Sequence, residues 1–197
     1  MSWDRVVLLY EDRAHGDFLR SLCRAQGLKV VAEHAAPKGR GAASDWVIRQ
    51  LPERLIELRT GEYAGLGLLV AVEGDNRGRA ARLTMMNHAC ASCGQDGLDG
   101  RDPVAVLVPT WSIDTWALFF CKDIVIPEHE PSKSRGRKLF RPPHRAWRAP
   151  GVPVEDAPRI WKTTHLAALT RGFLSDRSDP RLPSLEASRE DLRRCAS

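Results

Sequence analysis

Apolar residues come along this chain in short compact runs, separated by segments where they recur every three or four positions. Val6-Val7-Leu8-Leu9, within Arg5–Tyr10, is such a run and predicts a buried strand. After it, Phe18, Leu19, Leu22 and Cys23 fall on one side of a helix that ends near Gly27. Leu28 to Ala32 predicts a second strand. A polar, Gly-rich loop from Pro37 to Ala43 leads into a helix bearing Trp46, Val47, Leu51, Leu55, Ile56 and Leu58, with Ser44 or Asp45 as its cap. Pro52 is expected to kink that helix or start a new one, because proline has no amide N–H to give a helix interior. Leu66 to Val72 reads as the next strand and Gly78 to about Cys90 as the next helix, with Ala80, Leu83 and Met86 on one side. Val104 to Val108 predicts a further strand, and Ile113 to Phe120 a helix.

Strands alternating with helices predict an α/β layer structure whose central sheet is mostly parallel and flanked by helices. Past Cys121 the texture changes. Pro127, Pro131, Pro142, Pro143, Pro150, Pro153 and Pro158 punctuate a stretch poor in long apolar runs. The pattern therefore divides into a core over residues 1–126 and a Pro/Arg-rich extension over 127–197. The extension ends in a helix from Ala157 to Leu169, lined by Ile160, Trp161, Leu166 and Leu169, and in a short helix from Leu185 to Cys195 capped by Ser184. No internal repeat is present.

With 197 residues, 43% of them apolar, the chain is long enough to bury a core without disulfides or structural zinc. Its five cysteines (Cys23, Cys90, Cys93, Cys121 and Cys195) are odd in number and form no framework, which suits a reducing compartment. No apolar run approaches the roughly 20 residues a membrane helix needs, and Met1–Arg5 lacks the long apolar stretch of a signal peptide. A soluble, cytoplasmic protein with no membrane partner is the expectation; the oligomeric state is left open. The net charge of +5 is local in origin. Lys133, Arg135, Arg137, Lys138, Arg141, Arg145 and Arg148 stand together with no acid among them, and setting them aside leaves the remainder slightly negative. Mixed with Leu139, Phe140 and Trp147, these bases suit phosphate contacts plus stacking on unpaired nucleic-acid bases; a solvated loop docking on a partner protein is the plainer alternative.

Candidate chemistry gathers after the strands. Glu11 follows the first, and Glu73-Gly74-Asp75 follows the third. Open α/β sheets bind ligands beyond the carboxyl ends of their strands, so parallel neighbours would bring three carboxylates to one edge. Their mutual repulsion would be relieved by a hard divalent cation such as Mg2+ or Mn2+, and removing one acid should then stabilise the metal-free fold slightly. Gly78 would admit a tight entry into the following helix, whose N-terminal amides suit a phosphate. Loop acids, or an Asp75-Asn76 helix cap, explain the same residues without a metal.

The run Val7-Leu8-Leu9-Tyr10-Glu11-Asp12, with Phe18-Leu19 on the next helix, resembles the first motif of the TOPRIM domain, a strand ending in glutamate. Leu69-Val70-Ala71-Val72-Glu73-Gly74-Asp75-Asn76-Arg77-Gly78-Arg79 is similar to its second motif, an apolar strand followed by Asp-x-Asp-x-x-Gly, with Glu73 standing where the family has aspartate. Pro109-Thr110-Trp111-Ser112-Ile113-Asp114-Thr115-Trp116 resembles an element of small single-domain TOPRIM proteins encoded beside ATPases in bacterial defence loci, with Asp114 in place of the usual glutamate. The resemblance implies a TOPRIM-like, Rossmann-like fold and a magnesium-dependent nuclease acting on DNA or RNA, the effector of an anti-phage system controlled by an ATPase partner. It further implies Glu11 and Asp75 as catalytic groups and Glu11, Glu73, Asp75 and Asp114 as metal ligands. Arg77 and the basic residues Arg135, Arg137, Lys138, Arg141, Arg145 and Arg148 would bind nucleic acid, and Arg77, Arg79 and Lys122 are candidates for a base beside the metal.

Other readings stay open. A non-catalytic TOPRIM-like adaptor, docking on an ATPase or on nucleic acid, is kept alive by the glutamate at position 73. A flavodoxin-like phosphotransfer enzyme has less in its favour, since no Asp-x-Asp-x-Thr motif occurs. The chain has no G-x-x-x-x-G-K-[ST] motif with which to bind ATP by itself. Cys90 and Cys93 with His88 make half a zinc site without a second half and read as helix-end cysteines. His15 is close enough in sequence to Glu11 to serve the site, although a histidine in a first helical turn is more often a surface residue.

Overall fold

The alternation resolves into β1 (Arg5–Tyr10), α1 (Arg13–Ala25), β2 (Lys29–Ala35), α2 (Ala43–Thr60), β3 (Gly67–Ala71), α3 (Gly78–Ser92), β4 (Val104–Leu107), α4 (Ile113–Lys122), α5 (Ala157–Leu174) and α6 (Pro183–Ala196). These elements come from a computed structural model that describes residues 3–37, 43–75, 77–128 and 157–196. The basic segment with Lys133, Arg135, Arg137, Lys138, Arg141, Arg145 and Arg148 lies outside the described residues, as do Asn76, most of the Gly-rich loop and the side chains of Ile160 and Trp161. No described helix is long and apolar enough to cross a membrane.

The four strands form one all-parallel sheet in the order β2-β1-β3-β4. Both of its faces are covered, which is why the strands read as continuous apolar runs rather than as alternating ones. Val6, Leu8 and Tyr10 of β1 face a core shared with Phe18, Leu19 and Leu22 of α1, Trp116 of α4, Phe173 of α5 and Leu185 and Leu192 of α6. Val7 and Leu9 face the opposite core, with Val47, Leu51 and Leu55 of α2 and Met86 and Cys90 of α3. The C-terminal helices thus belong to the same core as α1.

Three local expectations need correction. α2 runs through Pro52 as one helix, so the proline starts no new element; Pro52 is itself buried, and the packing of Leu51 and Leu55 outweighs the lost amide. β2 extends to Ala35, beyond the expected Ala32. Ser184 is not the cap of α6 but lies inside its first turn, where its N–H donates to Glu128 Oε1 at 2.9 Å.

The two sheet edges are handled differently. On β2 the register slips between Val6 and Val7, leaving Val31 opposite no β1 residue, a bulge that blunts the edge against further pairing. On β4 a helix stands in for a fifth strand. The outward N–H groups of Val106, Val108 and Thr110 donate to Asp191 Oδ2, Ser188 Oγ and Ser184 Oγ at 3.2, 3.2 and 3.3 Å. The Val104 carbonyl accepts from Cys195 Sγ at 3.2 Å and from Arg194, and the Val106 carbonyl from Arg79 at 2.8 Å. Residues 184, 188, 191 and 195 recur every three or four positions and so lie on one stripe of α6. Asp191 also pairs with Arg79 at 2.7 Å. Replacing it with alanine leaves a β4 amide and a guanidinium without their acceptor, and Asp191→Ala is expected to lower unfolding stability in urea by about 2–3 kcal/mol. A loss below about 0.5 kcal/mol would show that the edge does not depend on this side chain.

Candidate functional site

The chain leaves β1 for α1 on one face of the sheet and leaves β3 for α3 on the other. β1 and β3 are neighbours, so their carboxyl ends flank the point where successive connections diverge. This is where an open α/β sheet forms its ligand crevice. Glu11 and Glu73 stand on its two sides. The Glu11 N–H donates to the Ala71 carbonyl at 3.2 Å, continuing the ladder, and Glu11 Oε2 accepts the Glu73 N–H at 2.9 Å. Glu73 is only 6% exposed.

Gly74 lets the next segment close in. Its N–H donates to the Pro109 carbonyl at 2.9 Å, and a Cβ there would lie 3.2–3.3 Å from Pro109 O, Gly78 Cα and Thr110 Cα. The β3 turn and the loop after β4 therefore meet backbone to backbone. Asp75 follows with φ +49, a left-handed conformation that aspartate tolerates better than most residues.

Arg82, 3% exposed on α3, holds this turn from beneath. Its Nε donates to the Glu73 carbonyl at 2.8 Å and its Nη2 to Asp75 Oδ2 at 2.7 Å. Asp75 is thereby bound to a guanidinium. It does not cap α3, whose N-cap is Arg77 without a side-chain capping bond. Asp114 is buried in the first turn of α4. Among the described residues, no group of three or more His, Cys, Asp or Glu side chains is arranged to hold a metal ion. The expected set of Glu11, Glu73, Asp75 and Asp114 therefore does not come together as one cluster. What the donors fit is narrower: magnesium keeps several waters and takes one or two carboxylates beside substrate phosphates, a mode that Glu11 and Glu73 suit.

Two of the three candidate bases stand apart. Arg79 is committed to the β4 edge and Asp191, and Lys122 sits in the last turn of α4, at the far end from Asp114. Arg77 is exposed beside the β3 turn, with its Nη1 3.5 Å from Met85 Sδ.

His15, which the sequence leaves open between a site role and the more usual surface position, is completely buried. Asp12 caps α1 by accepting the His15 N–H at 3.0 Å, and its Oδ1 also lies 2.8 Å from His15 Nδ1. A carboxylate can only accept, so Nδ1 carries a proton. Burial alone would lower the affinity of His15 for a second proton, but Asp12, Glu11 and Glu73 together raise it. Burial opposes ionisation of Asp12 as well, yet the bonds from His15 hold its carboxyl well below the usual range. Glu11 moves the other way: burial raises its pKa, with only partial relief from the Glu73 N–H and the charge of His15.

A further set of polar groups went unnoticed in the sequence because serine and threonine in a loop carry no signal. Thr110 and Ser112 are buried, and their hydroxyls have no hydrogen-bond partner among the described residues. Between them Trp111 adopts φ +70.

No family model, curated protein or solved structure matches the chain.

Two predictions follow from these pairings. Because Asp75 neutralises a buried guanidinium, Asp75→Ala should lower stability by about 2 kcal/mol in denaturant, reversing the slight gain expected from relieved repulsion; a neutral or stabilised variant would contradict the clamp. His15, with its pKa raised, gives stability that is complete below the unfolded value near 6.5 and is lost as pH rises through the folded one. Asp12, with its pKa depressed, gives stability that is present above 3.8 and is lost as pH falls through the folded value. The Tm of the wild-type chain should therefore fall more steeply between pH 6 and pH 9 than that of Asp12→Asn, and parallel curves would refute the pairing.

Proposed function

We propose that this chain is a divalent-metal-dependent phosphodiesterase of the TOPRIM type, cutting DNA or RNA in an anti-phage role under the control of an ATPase partner. The observation that carries the reading is the joining of Glu11 and Glu73 across neighbouring parallel strands, at the crevice where the connections diverge. Both TOPRIM-like motifs end at that point. The ATPase partner rests on the sequence resemblance alone.

In this reading Glu11 and Glu73 hold Mg2+ or Mn2+. The bound ion would supply charge neutralisation at the scissile phosphate and a water polarised for attack. Glu11, its proton affinity raised by burial, is suited to take or return a proton at its carboxylate during bond exchange. Arg82 keeps the Glu73 backbone in place through its carbonyl, so the Glu73 side chain is offered from a fixed base. Asp75 would join the site only while sharing its carboxylate with Arg82, whose Nη2 already holds Oδ2.

That last requirement favours a second reading. A TOPRIM-like adaptor with no catalysis has no use for a free third carboxylate, and the Asp75–Arg82 pair is what such a scaffold would keep. Incubating the full chain with plasmid, single-stranded DNA and tRNA across a Mg2+ and Mn2+ titration separates the two. The phosphodiesterase reading expects cutting that falls at least about 100-fold in Glu11→Gln and in Glu73→Gln, with Tm within a few degrees of wild type. Intact substrates at every metal concentration, with the ATPase partner supplied, would leave the adaptor.

A further inference from the structure

α4 is a ten-residue helix with an unusual start. Its N-cap is Ser112, in extended conformation, yet the serine hydroxyl makes no capping bond. The preceding loop is folded back over the first turn: the Thr110 carbonyl accepts the Ser112 N–H at 2.9 Å and the Thr115 hydroxyl at 3.1 Å. These bonds set Thr110 and Ser112 in the tight turn that leads into the amide end of α4. Ser112 is 1% and Thr110 4% exposed, and neither Oγ atom has a partner among the described residues. Buried hydroxyls are almost always satisfied, and two bare ones at one helix N-terminus mark a place built for a polar ligand.

The same loop abuts the β3 turn through Gly74, next to Glu73. We propose that Thr110 and Ser112 form a subsite for one phosphodiester group of a nucleic-acid strand, their hydroxyls donating to its two non-bridging oxygens. The inference rests on the phosphodiesterase reading for the class of its ligand and adds to it the residues that grip the backbone. The charge around the loop selects among phosphates. Glu73 lies across the Gly74 contact, and Asp114 sits two residues beyond Ser112. Phosphate monoesters carry up to two charges near neutral pH, whereas a diester carries one, so the diester meets less repulsion. Trp111 stands between the two hydroxyls in the chain and is itself nearly buried. Its left-handed backbone is unfavourable for so large a side chain, so a shift of this residue would open the subsite while relieving strain.

The test is an NMR titration of the 15N-labelled full chain in EDTA, where no cutting can occur, with the dinucleoside monophosphate TpT, its methylphosphonate analogue and inorganic phosphate. Wild-type protein should bind TpT with shifts centred on residues 110–115, and should bind the methylphosphonate and inorganic phosphate more weakly. Thr110→Val and Ser112→Ala should each weaken TpT about tenfold, the equivalent of one hydrogen bond to a charged acceptor. Thr110→Ser, which keeps the hydroxyl, should retain affinity. Tm should stay level or rise in the hydroxyl-free variants, since each removes an unsatisfied buried group. TpT that fails to bind, or that binds Thr110→Val and Ser112→Ala as tightly as wild type, overturns the subsite whether or not the protein cuts nucleic acid. Hydroxyl-dependent TpT binding by a protein that cuts nothing would keep the subsite and discard the phosphodiesterase.

Discussion

A small parallel sheet with helices on both faces still has to satisfy the amides and carbonyls along its outer strands. The fold depends on how β4 meets that requirement. Ser184, Ser188, Asp191 and Cys195 supply from side chains what another strand would supply from backbone. They do so at helical spacing, against main-chain groups spaced by two along the strand. α6 must therefore lie close along the edge, and α5 packs behind it on the core shared with α1. The β4 loop that follows, and with it the start of α4, is held by the same helix, because the Thr110 N–H ends on Ser184. The position of the candidate site is in this sense set from the C-terminal helix.

A second constraint comes from buried charge. Two buried arginines each bind main-chain carbonyls as well as a carboxylate. Arg82 joins the Glu73 carbonyl to Asp75, and Arg189 binds the carbonyls of Gly172, Phe173 and Arg177 together with Glu186. A buried charge is costly unless it is well bonded, so each guanidinium enforces the local backbone path around it. For the Glu73-Gly74-Asp75 turn this gives a fixed carbonyl beneath the acid pair and a carboxylate with one oxygen already on a guanidinium.

The layer structure was legible because fully buried strands leave a signature of apolar runs between turns, and β1, β3 and β4 show it without ambiguity. Glu11 and Glu73 were legible for a related reason: acids directly after such runs stand at the sheet's carboxyl edge whatever the loops do. The rest depended on partners distant in sequence. Arg82 belongs to the buried stripe Arg82, Met86 and Cys90 of α3, but a charged residue is discounted where an apolar face is sought, and the apolar spacing points to Leu83 instead. His15 follows the usual pattern of a surface first turn, and only the Asp12 bond and the packing of α1 against the sheet bury it. The engagement of Asp75 could not be seen from a Glu-x-Asp spacing, since it depends on a side chain seven residues further along, in α3.

The bulge at Val31 gives the molecule a direction. One side of the sheet ends in a strand whose spacing is broken, and the other ends under a helix whose polar stripe matches it residue by residue. Growth of the sheet by adding a strand, whether from another protein or from a copy of the same chain, is thereby discouraged at both margins by unlike means. Among the described residues, the surfaces this leaves open are the rim where the strands terminate and the outer sides of the helices.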